Sequence, residues 1–115
     1  MEVILMKNLL ILMICALFLV ACTTTVQQSS AVDAPAQAVV ELKNFKFIPD
    51  QVTIKRGGSV TFVNKDSATH TATAADFDSG DLKQDASFTQ TFEKTGNTNV
   101  KCKYHPSMSL KVIAK

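Results

Sequence analysis

The strongest constraint on the fold is a two-residue alternation of apolar side chains that runs through most of the chain. From about residue 39 to residue 115 no segment has a convincing helical periodicity, and short alternating runs are separated by turn-forming Gly, Asn and Asp residues. The apolar pairs that share a strand face are Val40 and Leu42, Phe45 and Phe47, Val52 and Ile54, Val60 and Phe62, Phe88 and Phe92, Val100 and Cys102, and Leu110 and Val112. This pattern predicts an all-β fold, an antiparallel Greek-key β-sandwich.

Two segments interrupt the alternation. The apolar phase changes near Asn44, which predicts a bulge or bend at that point. The stretch from Thr71 to Lys83 is rich in Asp, Ser, Thr and Ala, and we interpret it as a long surface connection. A domain of about 77 residues has a limited core, so a ligand that binds only the folded state would add to its stability.

The N-terminal segment is typical of an export signal. Lys7 precedes an apolar run of 13 residues, positions 9–21, which is shorter than the roughly 20 residues of a membrane-spanning helix. A permanent transmembrane anchor is therefore the weaker interpretation. Met6, immediately before Lys7, would make a more ordinary start for such a signal than Met1.

The end of the apolar run resembles the lipobox of prokaryotic lipoproteins. It reads Leu19-Val20-Ala21-Cys22, which predicts a signal peptide over residues 1–21, cleavage before Cys22 and a lipid on the Cys22 sulfur. Ordinary cleavage near Ala21 is the alternative. Residues 22–38 are small and polar and predict a flexible tether, followed by a folded domain over residues 39–115. The protein is then exported to the periplasm or cell surface and attached to a membrane by its lipid.

Charge and cysteine content narrow the range of possible functions. The 12 basic and 10 acidic residues give a net charge of +2, a balance that argues against nucleic acid as a partner. With Cys15 in the signal peptide and Cys22 lipidated, Cys102 is the one thiol left in the exported domain. Such a thiol has no internal disulfide partner and is open to oxidation unless its sulfur is occupied. A bound metal is one such occupant.

The spacing around Cys102 favours a copper site. Cys102, His105 and Met108 lie three residues apart in a short loop after a strand, so all three side chains can converge. One cysteine, two histidines and a long axial methionine form the blue-copper arrangement. The chain has only one other histidine, His70, which follows the strand that contains Val60.

Several motifs also carry a family resemblance. They are Phe47-Ile48-Pro49, Val52-Thr53-Ile54, Gly57-Gly58, Val60-Thr61-Phe62-Val63-Asn64 and His70, followed by Phe77-Asp78-Ser79-Gly80 and the Cys102 to Met108 spacing. The segment from about residue 40 to residue 115 thereby resembles the cupredoxins of the amicyanin and plastocyanin type. The resemblance implies one copper ion, Cu(II)/Cu(I), with His70, Cys102, His105 and Met108 as ligands. It also implies that Asn64 tethers the ligand loop by hydrogen bonds outside the ligand set.

Three positions depart from the family's pattern. Val100 stands where an aromatic residue is common, Thr71 where asparagine is frequent, and Leu110 where glycine is usual. None of them is a ligand position. Leu110 changes the surface beside the site, so we expect it to affect partner recognition more than copper binding.

The resemblance implies a carrier of single electrons between transient redox protein partners, with the His105 edge facing solvent beside Pro106. The resemblance implies no small-molecule substrate and no enzyme activity. Copper oxidases and nitrite reductases need a second copper centre with further histidines, whereas both histidines of this chain are already used as ligands of the first. One alternative is an extracytoplasmic copper carrier or sensor that does not cycle its oxidation state. Another is a metal-free interaction module on a lipid tether.

Overall fold

The computed structural model describes residues 33–115, which form seven β-strands and no helix. The strands are β1 (Gln37–Lys43), β2 (Lys46–Ile48), β3 (Gln51–Ile54), β4 (Ser59–Asn64), β5 (Ser87–Thr91), β6 (Gly96–Lys101) and β7 (Ser109–Ala114). The predicted signal peptide, the predicted lipid site at Cys22 and most of the tether lie outside the described residues. Strand β1 begins at Gln37, two residues before the predicted start of the domain. Within the described part of the chain, no helix has the length and apolarity to cross a membrane.

The strands form two sheets, with the orders β2-β1-β4-β5 and β3-β7-β6. A single apolar core contains residues of both sheets, so the predicted all-β sandwich is confirmed. The pairing is mixed, however, because β1 lies parallel to β4 and β3 lies parallel to β7. The prediction of a wholly antiparallel arrangement is wrong at these two pairs. Alternation identifies the buried face of a strand, but it carries no information about the direction of its neighbour.

The core follows the alternation that the sequence shows. Strand β4 alternates between half-buried and buried residues, and Val60 and Phe62 are fully buried. On the opposite sheet, β7 buries Leu110 and Val112. Burial of side chains of this size contributes roughly 1.5–3 kcal/mol each, which gives this small domain its main source of stability.

The predicted bend near Asn44 is confirmed as a two-residue hairpin turn. Strands β1 and β2 pair up to Lys43 and Lys46, and the two residues between them, Asn44 and Phe45, have φ values of 55° and 57°. Both residues are left-handed, as in the turn type that favours asparagine and glycine. A phenylalanine in this conformation is uncommon.

The segment from Thr71 to Lys83 is only partly the surface connection that the sequence predicts. Its two ends are buried, with Thr71, Ala72 and Leu82 at 1%, 0% and 4% exposure. Leu82 pairs with His70 through two backbone hydrogen bonds, of 3.1 and 2.8 Å. The polar side chains explain the difference: the hydroxyl of Ser79 accepts a hydrogen bond from the Ala72 N–H, so the segment folds back onto the sandwich.

Candidate metal centre

Three of the four predicted ligands converge at one end of the sandwich. His70 follows β4, and Cys102 and His105 lie in the loop between β6 and β7. The two Nδ1 atoms are 3.1 Å apart, and the Cys102 Sγ lies 3.7 Å from the Nδ1 of His70 and 3.6 Å from that of His105. His70 and Cys102 are buried, whereas His105 is half-buried.

The three donor atoms fit a single metal ion. A triangle with these sides has its centre about 2.0 Å from each corner, which is close to the length of a metal–imidazole bond. Two imidazoles and a thiolate are also a donor set that suits copper. The arrangement therefore has the size and the chemistry of a trigonal copper site, in which a copper ion would supply a one-electron couple.

The fourth predicted ligand, Met108, lies at the other end of the same loop. Its side chain is 1% exposed, and its N–H donates a hydrogen bond of 2.9 Å to the carbonyl oxygen of His105. This bond closes the loop into a tight turn just before β7 begins at Ser109. The loop is held on the sandwich, but the axial role of Met108 stays a prediction.

Asn64 tethers the loop that leads to His70. Its Nδ2 donates hydrogen bonds to the carbonyl oxygens of Ala68 and Leu82, at 2.8 and 2.7 Å, and its Oδ1 accepts one of 2.9 Å from the Asp66 N–H. Asn64 is fully buried, so each of these bonds satisfies a group that has lost water. These bonds fix the start of the loop that carries His70, and the role of Asn64 toward a bound copper ion stays a prediction.

Thr71 has a larger part in the site than the sequence suggested. Its N–H donates to the Cys102 Sγ over 3.4 Å, which partly neutralises a thiolate at that position. Its hydroxyl accepts a hydrogen bond of 2.9 Å from the Lys103 N–H and lies 2.9 Å from the Thr73 hydroxyl. The place of Thr71 next to His70 was the one signal available.

Asp66 is a second residue that the sequence reasoning missed. Its Oδ2 lies 2.8 Å from the Nε2 of His70, and its carboxylate accepts hydrogen bonds from the N–H groups of Asn44 and Phe45. Burial raises the pKa of Asp66, but the hydrogen bonds from Phe45, His70 and Asn44 together outweigh burial and hold that pKa below its ordinary value. The spacing of four residues to His70 was a signal for this pair.

Two exposed aromatic residues are associated with the site: Phe45 contacts both imidazoles, and Tyr104 precedes His105 in the same loop. The Phe45 ring is 52% exposed and lies edge-on to both imidazoles, with centroid distances of 5.3 Å to His70 and 4.9 Å to His105. Tyr104 is 54% exposed, and its hydroxyl donates to the Asp81 carboxylate. That hydrogen bond raises the pKa of Tyr104.

Comparison with known proteins identifies the family. Residues 12–114 match the sequence model of the cupredoxin-like domain. The chain belongs to the cupredoxin family. A curated relative, the amicyanin of Paracoccus versutus, is 31% identical over 103 residues, which cover 80% of this chain and 76% of that amicyanin. Membership implies one bound copper ion, and His70, Cys102 and His105 form the cluster of ligand atoms able to receive it.

Solved cupredoxin structures have the same fold. A Cu(I) form of an amicyanin variant aligns with a TM-score of 0.66 at 22% identity and covers 74% of this chain and 88% of that one. The purple cupredoxin from Nitrosopumilus maritimus aligns with a TM-score of 0.63 at 23% identity, over 68% of this chain and 99% of its own. A copper-containing nitrite reductase from Thermus scotoductus SA-01 also aligns, with a TM-score of 0.64 at 24% identity. The alignment covers 69% of this chain but spans only 22% of that enzyme.

Proposed function

We propose that this cupredoxin carries single electrons between protein partners by cycling one copper ion between Cu(II) and Cu(I). The observation that carries the proposal is the trigonal set of two imidazoles and a thiolate, with the sulfur buried and one imidazole at the surface. His70, Cys102, His105 and Met108 would hold the ion. A copper ion in such a set supplies a one-electron couple.

The surrounding hydrogen bonds support a site that keeps its shape when the charge changes. Thr71 holds the Cys102 sulfur, Asp66 holds the His70 ring, and Met108 closes the loop that carries His105. All of these contacts are made within the protein itself. Ligands held in this way need to move little when an electron arrives or leaves.

The exposed edge supports transfer to a protein partner. His105 is half-buried, and Pro106, Tyr104 and Phe45 are exposed beside it. A partner that contacts this patch comes close to a ligand of the copper without entering the protein. A small, transient interface suits repeated association and release. The chain contains two histidines in all, so it lacks the further histidines of a second copper centre, and we assign no enzyme activity to it.

We also propose that the protein is exported and lipid-anchored through Cys22. The support is the sequence over residues 1–22 alone. A mature protein whose mass corresponds to an acylated N-terminal Cys22 is the expected result. An unmodified N-terminus elsewhere would contradict it.

The function is tested by visible spectroscopy of the purified full-length chain titrated with Cu(II) and then with ascorbate. An electron carrier gives an intense blue band that saturates at one copper per chain and bleaches and returns reversibly. Cys102→Ser should abolish the band, whereas Ser107→Ala, which changes an exposed side chain in the same loop, should keep it. Binding of Cu(I) with no blue band would favour the copper carrier or sensor instead. If neither ion binds, the ligand assignment is wrong.

A further inference from the structure

The Asp66 carboxylate joins a predicted copper ligand to an exposed turn. Its Oδ2 contacts the Nε2 of His70 at 2.8 Å and accepts from the Phe45 N–H at 3.0 Å, while its Oδ1 accepts from the Asn44 N–H at 2.8 Å. Among residues 33–115, no carboxylate makes the corresponding contact with His105. The two imidazoles of the site are therefore held in different ways.

The contact with Asp66 sets which nitrogen of His70 carries the proton. A carboxylate accepts hydrogen bonds, so the Nε2 of His70 is the protonated nitrogen and Nδ1 keeps its lone pair. That Nδ1 faces the Cys102 Sγ at 3.7 Å and the His105 Nδ1 at 3.1 Å. The ring is fully buried as well, so it is prepared as a ligand in both tautomer and orientation.

The same carboxylate holds the turn at Asn44 and Phe45 in its left-handed conformation. Phe45 has a φ of 57°, a left-handed backbone conformation that is unfavourable for a residue with a Cβ. Asp66 offsets this cost by accepting both N–H groups of the turn. The consequence is that the Phe45 ring lies edge-on to both imidazoles while half of it faces solvent.

We propose that Asp66 is a positioning residue that presets the tautomer of His70, places a negative charge beside the copper site and thereby lowers the reduction potential. The part that concerns the potential rests on the proposed function; the part that concerns the tautomer does not. A nearby negative charge favours the more positive Cu(II) over Cu(I), and a carboxylate partner makes the imidazole a more basic ligand. Both effects act in the same direction.

The main test is the reduction potential of Asp66→Asn in the full-length chain. An asparagine oxygen can still accept from Phe45 and His70, but the charge is gone. We expect the affinity for Cu(II) relative to Cu(I) to fall about tenfold, a rise of about 59 mV for a one-electron couple. The matched control is Asp85→Asn, which removes the same charge from an exposed residue whose nearest cation is Lys65 at 3.7 Å, and which should leave the potential unchanged.

The second test does not need copper. Long-range ¹H–¹⁵N correlation spectra of the metal-free full-length chain should show the His70 proton on Nε2 in the wild type and in Asp85→Asn, and a loss of this preference in Asp66→Ala. If the His70 proton of the wild-type protein lies on Nδ1, the proposal is overturned, and this result does not depend on whether the variants fold. An unchanged reduction potential in Asp66→Asn also overturns the proposal. If the wild-type protein has no reversible Cu(II)/Cu(I) couple, the proposed function is overturned. The position of the His70 proton then still tests the role of Asp66.

Discussion

The two histidines of the site differ in almost everything but their residue type. His70 is fully buried, its backbone pairs with Leu82, and its ring is held by Asp66. His105 lies half-buried in a loop, and among residues 33–115 its ring has polar contacts only with His70 and Cys102. One imidazole belongs to the framework of the sandwich, and the other belongs to its surface.

Under the proposed function, this difference divides two tasks that a redox site must combine. A buried and anchored ligand keeps the donor atoms in place, so little has to rearrange when the charge changes. A ligand at the surface gives a partner a short path to the metal. A site with two buried, anchored imidazoles like His70 would be rigid but inaccessible to a partner. A site with two surface imidazoles like His105 would be accessible, but its donor atoms would be poorly held in place.

The largest expected effect comes from removing each imidazole in turn. We expect both His70→Gly and His105→Gly to lose the blue band of the copper protein. Added free imidazole should restore the band in His105→Gly, because the space that it leaves opens to solvent. It should not do so in His70→Gly, whose cavity lies inside the core and beside an Asp66 that has lost its imidazole partner. Visible titration with imidazole measures this, and equal rescue of both variants would contradict the comparison.

A smaller effect, on stability, is expected at the contact between Thr71, which follows His70, and the loop that carries Cys102. Thr71→Val removes the hydroxyl that accepts from the Lys103 N–H, so the free energy of unfolding should fall by about 1–3 kcal/mol. The blue band should persist, because the bond to the Cys102 sulfur comes from the Thr71 backbone. Urea denaturation measures the loss. Thr71→Ser keeps the hydroxyl and is the control; an equal loss there would show that the hydrogen bond is not responsible.

The smallest effect is expected on stability at acid pH, at the exposed ion pair of Asp78 and Lys103. The side chain of Lys103, with the Gly80 N–H, holds the pKa of Asp78 below its ordinary value of 3.8. A lowered folded-state pKa stabilises the protein above that ordinary value, and the stabilisation is lost as the pH falls through the folded-state pKa. Between about pH 5 and pH 2, wild type should therefore lose slightly more stability than Asp78→Asn. Thermal unfolding against pH measures this.

The control for that prediction is Asp76→Asn. Asp76 is exposed and forms none of the side-chain hydrogen bonds or ion pairs found among residues 33–115. Its removal should leave the acid dependence of wild type in place. If both variants flatten the curve equally, the effect belongs to the general charge of the surface and not to the pair with Lys103.

The sequence alone was enough for the features that depend on neighbouring residues. Alternation of apolar residues predicted the strands, since successive side chains of a strand point to opposite faces. The spacing of Cys102, His105 and Met108 predicted a shared loop, since only two residues separate each of these from the next. The phase change at Asn44 predicted the bend for the same local reason, and the structure has a turn there.

Only the tertiary structure decided the features that join distant parts of the chain. Three such features link residues that lie about 20 to 30 positions apart. They are the parallel pairing of β1 with β4, the hydrogen bond from Thr71 to the Cys102 sulfur, and the two hydrogen bonds from the hairpin turn to Asp66. Alternation says which face of a strand is buried but not which strand lies beside it. The residues that cluster as candidate ligands, His70, Cys102 and His105, could therefore be predicted from the sequence. The contacts that orient His70 and expose His105 follow from how the two sheets bring their loops together.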